Sequence, residues 1–147
     1  MWNKILDILR KKVQEGVDVR LIYDDVGCAS KVKINYAKIL QSYGIKCYVF
    51  NPFIPVISGM HNNRDHRKIT VIDGKIGYTG GINIGDEYLN ITSPYGYWKD
   101  NAVRIKGEAT NNLTILFLQN FSLATLNQKT DYAPYLYKEE EQKYKYI

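Results

Sequence analysis

An Asp73-Gly74 pair stands between two short apolar runs, Ile69 to Ile72 and Ile76 to Tyr78, inside the stretch DHRKITVIDGKIGYTGGIN that covers residues 65–83. Asp-Gly between β-rich runs is a strong signal for a two-residue hairpin. Such a turn fixes register. With Asp73 and Gly74 as the loop, Ile72 faces Lys75, Lys68 faces Thr79 and His66 faces Gly81. Strand alternation then sends His66 and Lys68 to one face and leaves Asp73 on the opposite parity. Gly81 has no side chain, and Asn83, diagonal to His66, carries an amide that can donate hydrogen bonds. The expected product is a polar hollow sized for an anion.

The elements before the hairpin follow β-α-β order. Trp2, Ile5, Leu6, Leu9 and Val13 recur at helical spacing, which predicts an amphipathic helix over 2–14 that stops near Gly16. Val17 to Tyr23 reads as a strand running into Asp24 and Asp25. Those carboxylates suit a pocket rim at a strand's C-terminal end or, equally, a loop of helix-capping acids. Ser30 is the expected N-cap of a second helix, whose stripe of Val32, Tyr36, Ile39, Leu40 and Tyr43 ends at Gly44. Ile45 to Phe50 is a further strand, and a helix between strands argues for parallel pairing. Asn51 to Arg64, with Pro52 and Pro55, reads as a loop delivering the chain to the hairpin. His61 lies in it with Asn at position 63, so it has no lysine two residues on.

Beyond the hairpin, Gly85 to Pro94 is a polar connection leading to Tyr95-Gly96-Tyr97-Trp98. An aromatic cluster there fits the lining of an acyl or base pocket, or a core plug. Val103 to Ile105 is a short strand, and Glu108 to about Thr125 an apolar-rich helix packing on the sheet. The fold expected is α/β, a mixed β-sheet flanked by helices on both faces, with one domain over residues 1–125 and a linker or tail over 126–147.

At 147 residues the chain suits one domain, and 45% hydrophobic with 24% charged residues fits a soluble globular protein rather than a disordered or membrane-embedded one. No apolar run reaches membrane-spanning length, and the opening MWNKILDILRKK lacks a secretory cleavage site. Twenty basic residues against fifteen acidic give +5, which suits nucleic acid or anionic lipid surfaces and, equally, ordinary solubility. Cys28 and Cys47 form no disulfide framework, so a reducing interior is expected. His61 and His66, five apart without a carboxylate-rich setting, make no zinc site, and no metal is assigned.

His66, Lys68 and Asp73, followed by Gly80-Gly81 and Asn83, resemble the HxKxxxxD signature of the phospholipase D superfamily. The longer run HRKITVIDGKIGYTGGINIGDEY is similar to the cardiolipin synthase branch, as are YDDVG at 23–27, Tyr97-Trp98-Lys99-Asp100 and Val103-Arg104-Ile105. The likeness is to the N-terminal catalytic half of the usual cardiolipin synthase, without its leading membrane segments. It implies a phospholipase D-like half and metal-independent chemistry without a cofactor. The catalytic set so implied is His66, Lys68, Asp73 and Asp100, with Lys68, Gly81 and Asn83 on the substrate phosphate. His66 attacks phosphorus to form a phosphohistidine. Asp100 orients its imidazole, which must present a neutral nitrogen. Asp73 takes a mainly structural part, bonding hairpin amides or a nearby cation.

In the superfamily the acid for the leaving alkoxide comes from a second HxK motif, and this sequence has none. Two expectations follow: a fragment whose second half lies in the same parent chain, or a half that pairs with a homodimer mate. The implied reaction passes a phosphatidyl group between phosphatidylglycerol molecules at the cytoplasmic face of the membrane in the parent enzyme. The alternative is a small homodimeric phosphodiesterase or endonuclease, with nucleic acid as its partner. A module that binds phosphate without turnover is a third reading, against which the intact His66, Lys68 and Asn83 speak.

Overall fold

The computed structural model describes residues 1–24, 32–33, 35–50, 65–126 and 131–138. Helix α1, Trp2–Gln14, has the bounds its apolar spacing predicts. It ends where Gly16 takes φ +86°, with Gly16 N donating to Val13 O and Val17 N to Lys12 O. Lys11 and Lys12 in its last turn face the negative end of the helix dipole. Strand β1, Arg20–Asp24, then pairs in parallel with β2, Lys46–Phe50, through α2, Tyr36–Ser42. The expected N-cap Ser30 lies outside the described residues. Within them, Asn35 at φ 66° precedes the first turn of α2.

Trp2, Leu6, Leu9 and Val13 of α1 pack with Leu21 and Tyr23 of β1 on the buried core of Leu40, Ile45 and Cys47. Gly44 serves this joint: it sits at φ +82°, and a Cβ there would come within 2.7 Å of Val13 Cγ1. Only glycine satisfies both demands. The next residues along the strands face the other way. Tyr48 meets Phe121 edge-on at 5.3 Å, and the Arg20 guanidinium lies 5.4 Å from the same ring. Phe121 belongs to α3, Thr110–Thr125, so the parallel pair is covered on both faces.

β3, Lys68–Ile72, β4, Ile76–Gly80, and β5, Ala102–Lys106, form an antiparallel trio. The α/β class and the two-sided covering of the parallel pair are as expected. The hydrogen bonding, however, divides the expected mixed sheet into a parallel pair and an antiparallel trio, with α3 packing against both. The side of α3 turned inward is a line of Thr110, Thr114, Leu118 and Ser122, all buried at a spacing of four. The two threonines and the serine of this line let the helix lie close, and Thr114 Oγ1 settles its own polarity by donating to Thr110 O at 3.0 Å.

The hairpin register differs by one residue from that expected of a two-residue loop. Ile72 pairs with Ile76 and Lys68 with Gly80, leaving Asp73, Gly74 and Lys75 in the loop. Asp73 and Gly74 do take the positive φ values, 52° and 65°, that Asp-Gly announces. Lys75 N donates across the turn to Ile72 O at 2.9 Å, while its carbonyl is turned to the other side, accepting from Gly107 N at 3.1 Å and Thr110 Oγ1 at 3.4 Å. The Lys75 carbonyl thus bonds to the residue after β5 and to the start of α3 rather than to β3.

Part of the expected tail docks on this turn. Tyr135 OH accepts from Arg20 Nη2 at 2.6 Å, and Tyr137 exchanges two hydrogen bonds with Asn111. Gly74 is buried beneath, since a Cβ there would meet Tyr135 O at 2.2 Å. No helix among the described residues is long and apolar enough to cross a membrane.

Burial pushes the Cys47 thiol up to about 12. At pH 8 a disulfide reagent should leave Cys47 unmodified in the native protein and label it once denaturant is added, as read by peptide mapping. Rapid native labelling would contradict the packing described.

Candidate functional site

Asp65, His66 and Arg67 lead into β3, and their geometry is fixed from both sides of the histidine. Arg67 grips the Asp65 carboxylate through Nε at 2.8 Å and Nη2 at 2.7 Å, while Arg67 N donates to Asp65 Oδ1 at 3.0 Å. From α3, Asn120 Nδ2 adds a bond of 2.6 Å to Asp65 Oδ2. The Arg67 hydrogen bonds, with help from Asn120 and against partial burial, hold Asp65 below the usual carboxylate range. His66, between the two clamped residues, stays exposed. It lies on an open cleft of about 680 Å³ with Phe50, Arg67, Thr79, Gly80 and Val103 on its walls.

Lys68 opens β3 opposite Gly80 and turns its ammonium back, donating to His66 O at 2.6 Å. Imidazole-bearing backbone and ammonium are thus at one end of the hairpin. The partner strand comes close here because two glycines end it. A Cβ at Gly80 would meet Asn101 O at 2.4 Å, and one at Gly81 would meet Asp100 Oδ1 at 2.3 Å. Gly81 N donates to Asn101 O at 3.2 Å. The space expected beside the imidazole at Gly81 is taken by the Asp100 carboxylate, which approaches from the β5 side.

Asp100 accepts from Asn101 N at 2.8 Å and, at a long 3.4 Å, from Trp98 Nε1. The expected hydrogen bond from His66 to Asp100 is not formed among the described residues. Asn83 follows two residues after Gly81, half-buried, and its amide bonds to no described residue. Asp73 occupies the turn at the opposite end of β3, roughly 16 Å away at about 3.3 Å per residue. Its carboxylate makes no hydrogen bond to a described residue, so the expected bonding to hairpin amides is replaced by a left-handed backbone role. Neither Lys68, Gly81, Asn83 nor Asp100 lines the cleft on which His66 opens.

Asp24 borders a smaller cavity of about 90 Å³ shared with Asp65, Arg67, Phe117 and Asn120, which favours the pocket-rim reading of the strand end. Asp25 and His61 lie outside the described residues. Sequence reasoning gave no part to Asp65 or Asn120. The Asp65-His66-Arg67 alternation carried a signal for the first, since opposite charges two apart flank the histidine. Asn120, 55 residues distant, carried none.

Such a clamped histidine, a lysine two residues on and a glycine pair across the hairpin define a phospholipase D-like α/β domain. The family model for the cardiolipin synthase, PLD-like domain matches residues 2–117, and the chain belongs to that family. A Streptococcus mutans protein described only as uncharacterized is 50% identical over 136 residues, 92% of this chain and 29% of that one. A cardiolipin synthase of Oceanobacillus iheyensis is 42% identical over 125 residues, 85% of this chain and 26% of its own length. Cardiolipin synthase 2 of Staphylococcus epidermidis is 40% identical over 132 residues, with shares of 90% and 27%. The chain therefore spans between a quarter and three tenths of the length of these curated relatives. No solved structure matches it significantly.

Because Asp65 is depressed, the order it lends is present above the ordinary carboxyl range and is lost as pH falls through its lowered value. Asn120→Ala removes one donor, so the carboxyl should move back up. The pH at which the Arg67 Nε proton resonance loses its bonded shift should rise in that variant. An unchanged midpoint would show that Asn120 does not support the clamp.

Proposed function

We propose that this domain is one half-site of a cardiolipin synthase-type phosphatidyltransferase acting at the cytoplasmic face of a membrane. The observation that carries the reading is the exposed His66 on an open cleft, with the Lys68 ammonium at the same hairpin end, in a chain of the cardiolipin synthase family. Relatives named cardiolipin synthase favour a phospholipid substrate over the nuclease alternative.

In this reading an imidazole nitrogen of His66 forms a bond to the phosphorus of phosphatidylglycerol, and the bond from phosphorus to the glycerol headgroup oxygen breaks. The leaving glycerol oxygen takes a proton from an acid. The phosphatidyl group then passes to the hydroxyl of a second phosphatidylglycerol, whose proton returns to the same group. Lys68 leaves the His66 carbonyl for a non-bridging oxygen, and Asn83 meets another as negative charge grows there. Gly81 belongs to this phosphate-binding set only by the close approach it allows at that end of the hairpin, since its own N–H is spent on Asn101 O. Asp100, one residue from the Gly81–Asn101 joint, orients His66 once substrate draws the two together. Asp73 acts only through the turn.

The acid is assigned to a second HxK half, in the same parent chain or in a homodimer mate. Cardiolipin formation from phosphatidylglycerol vesicles, followed by mass spectrometry, tests this. As a monomer the chain should give little product, adding a chain that bears a second HxK motif should give turnover, and His66→Ala should lower that turnover about 10³-fold or more. Robust synthesis by a demonstrated monomer, or by the His66→Ala mixture, would overturn the assignment.

A further inference from the structure

The connection between β4 and β5 is at odds with an ordinary solvent-facing loop. From Leu89 to Tyr97 it carries no charged residue, and its large apolar side chains point outward: Ile91 is 63% exposed, Tyr95 71% and Tyr97 85%, with Leu89 also exposed. The aromatic cluster is therefore no core plug. Nor is the loop shapeless. Asn90, at φ 56°, exchanges two hydrogen bonds with the Trp98 backbone, at 2.7 and 2.8 Å, and Ile91 N donates to Asp86 O at 3.0 Å. Tyr88 and Tyr95 pack on the Trp98 ring at 5.1 and 6.4 Å. A fixed scaffold thus holds bare apolar groups in water, which is the signature of a surface awaiting a partner.

We propose that this loop docks the domain on an anionic phospholipid bilayer, with Leu89, Ile91, Tyr95 and Tyr97 entering the headgroup region. The inference rests on the phospholipid reading of the adjacent site. Tyrosine and tryptophan with aliphatic neighbours are the side chains that settle at the membrane interface, apolar body inward and polar tip at headgroup level. Charge complements the apolar tip. Lys99 follows Trp98 and is exposed, and the face of the antiparallel trio turned away from α3 carries Lys68, Arg104 and Lys106 with no carboxylate among its strand residues. The nearest acids, Asp86, Glu87 and Asp100, flank the uncharged span at its two ends. Apolar insertion plus basic attraction is the pairing that gives stable surface binding. The loop leaves β4 beyond Gly81 and Asn83 and returns through Asp100, so docking brings the bilayer to the end of the hairpin that bears His66.

Vesicles of phosphatidylserine and phosphatidylcholine in equal parts, which offer no phosphatidylglycerol to the site, test docking apart from chemistry. The full chain should sediment with them, and less with phosphatidylcholine alone. Tyr95→Ser/Tyr97→Ser should lower partitioning about tenfold or more, and His66→Ala should leave it unchanged even if the catalytic reading fails. In a Trp2→Phe background, where Trp98 is the remaining indole, its emission should shift to the blue on vesicle addition; should that variant fold poorly, co-sedimentation still decides. Unchanged vesicle binding by the tyrosine variant would overturn the proposal. So would a lipid-independent dimer that the same substitutions dissociate in a chain that ignores vesicles, since the loop would then be covered by a second copy.

Discussion

Two glycines at the end of β4 let the backbone of residues 100–102 lie where side chains would otherwise stand. A Cβ at Gly80 would collide with Asn101 O and one at Gly81 with the Asp100 carboxylate. That close approach does three things at once. It sets β5 against β4 with Gly80 opposite Ala102, it brings a carboxylate to the mouth of the hairpin, and it fixes both ends of the aromatic loop. A methyl group in this joint would have to move backbone rather than a flexible side-chain tip, which interiors packed at this density resist.

The other end of the hairpin is held by a different device. Lys75 gives its carbonyl to Gly107 and Thr110, which ties the turn to the end of β5 and the first turn of α3. Ten residues further along the same helix, Asn120 reaches Asp65 beside His66. One rigid element thus touches both ends of the hairpin, Lys75 at the turn and Asp65 beside the histidine that opens it. Its buried line of Thr110, Thr114, Leu118 and Ser122 allows the close contact that this double duty requires.

Much of this was legible in the sequence, for reasons that are local. The stripe in Trp2–Gln14, the stops at Gly16 and Gly44, and the positive φ of Asp73 and Gly74 depend on residues within a turn or two of one another. The resemblance to the phospholipase D superfamily, carried by His66, Lys68, Asp73, Gly80-Gly81 and Asn83, agrees with the family match over residues 2–117. What was not legible is long-range. No feature of IDGKI announces that the Lys75 carbonyl will be captured by a helix beginning 35 residues later. With the one-residue shift, the pairing run on beyond Lys68 and Gly80 sets Gly81 opposite Arg67 rather than His66. Nor did the polar tail from Leu126 onward show that Tyr135 and Tyr137 would seal the turn, because their partners Arg20 and Asn111 are distant in sequence.

The central proposal is that the His66 end of the hairpin is built for phosphate and the Asp73 end for the fold. Backbone amide and imidazole resonances followed during titration with inorganic phosphate test it most directly. Binding should shift His66, Lys68, Gly80, Gly81 and Asn83 together along one saturable curve and leave Asp73 to Lys75 in place. Shifts centred on the Asp73-Gly74 turn, or none at His66, would contradict the claim.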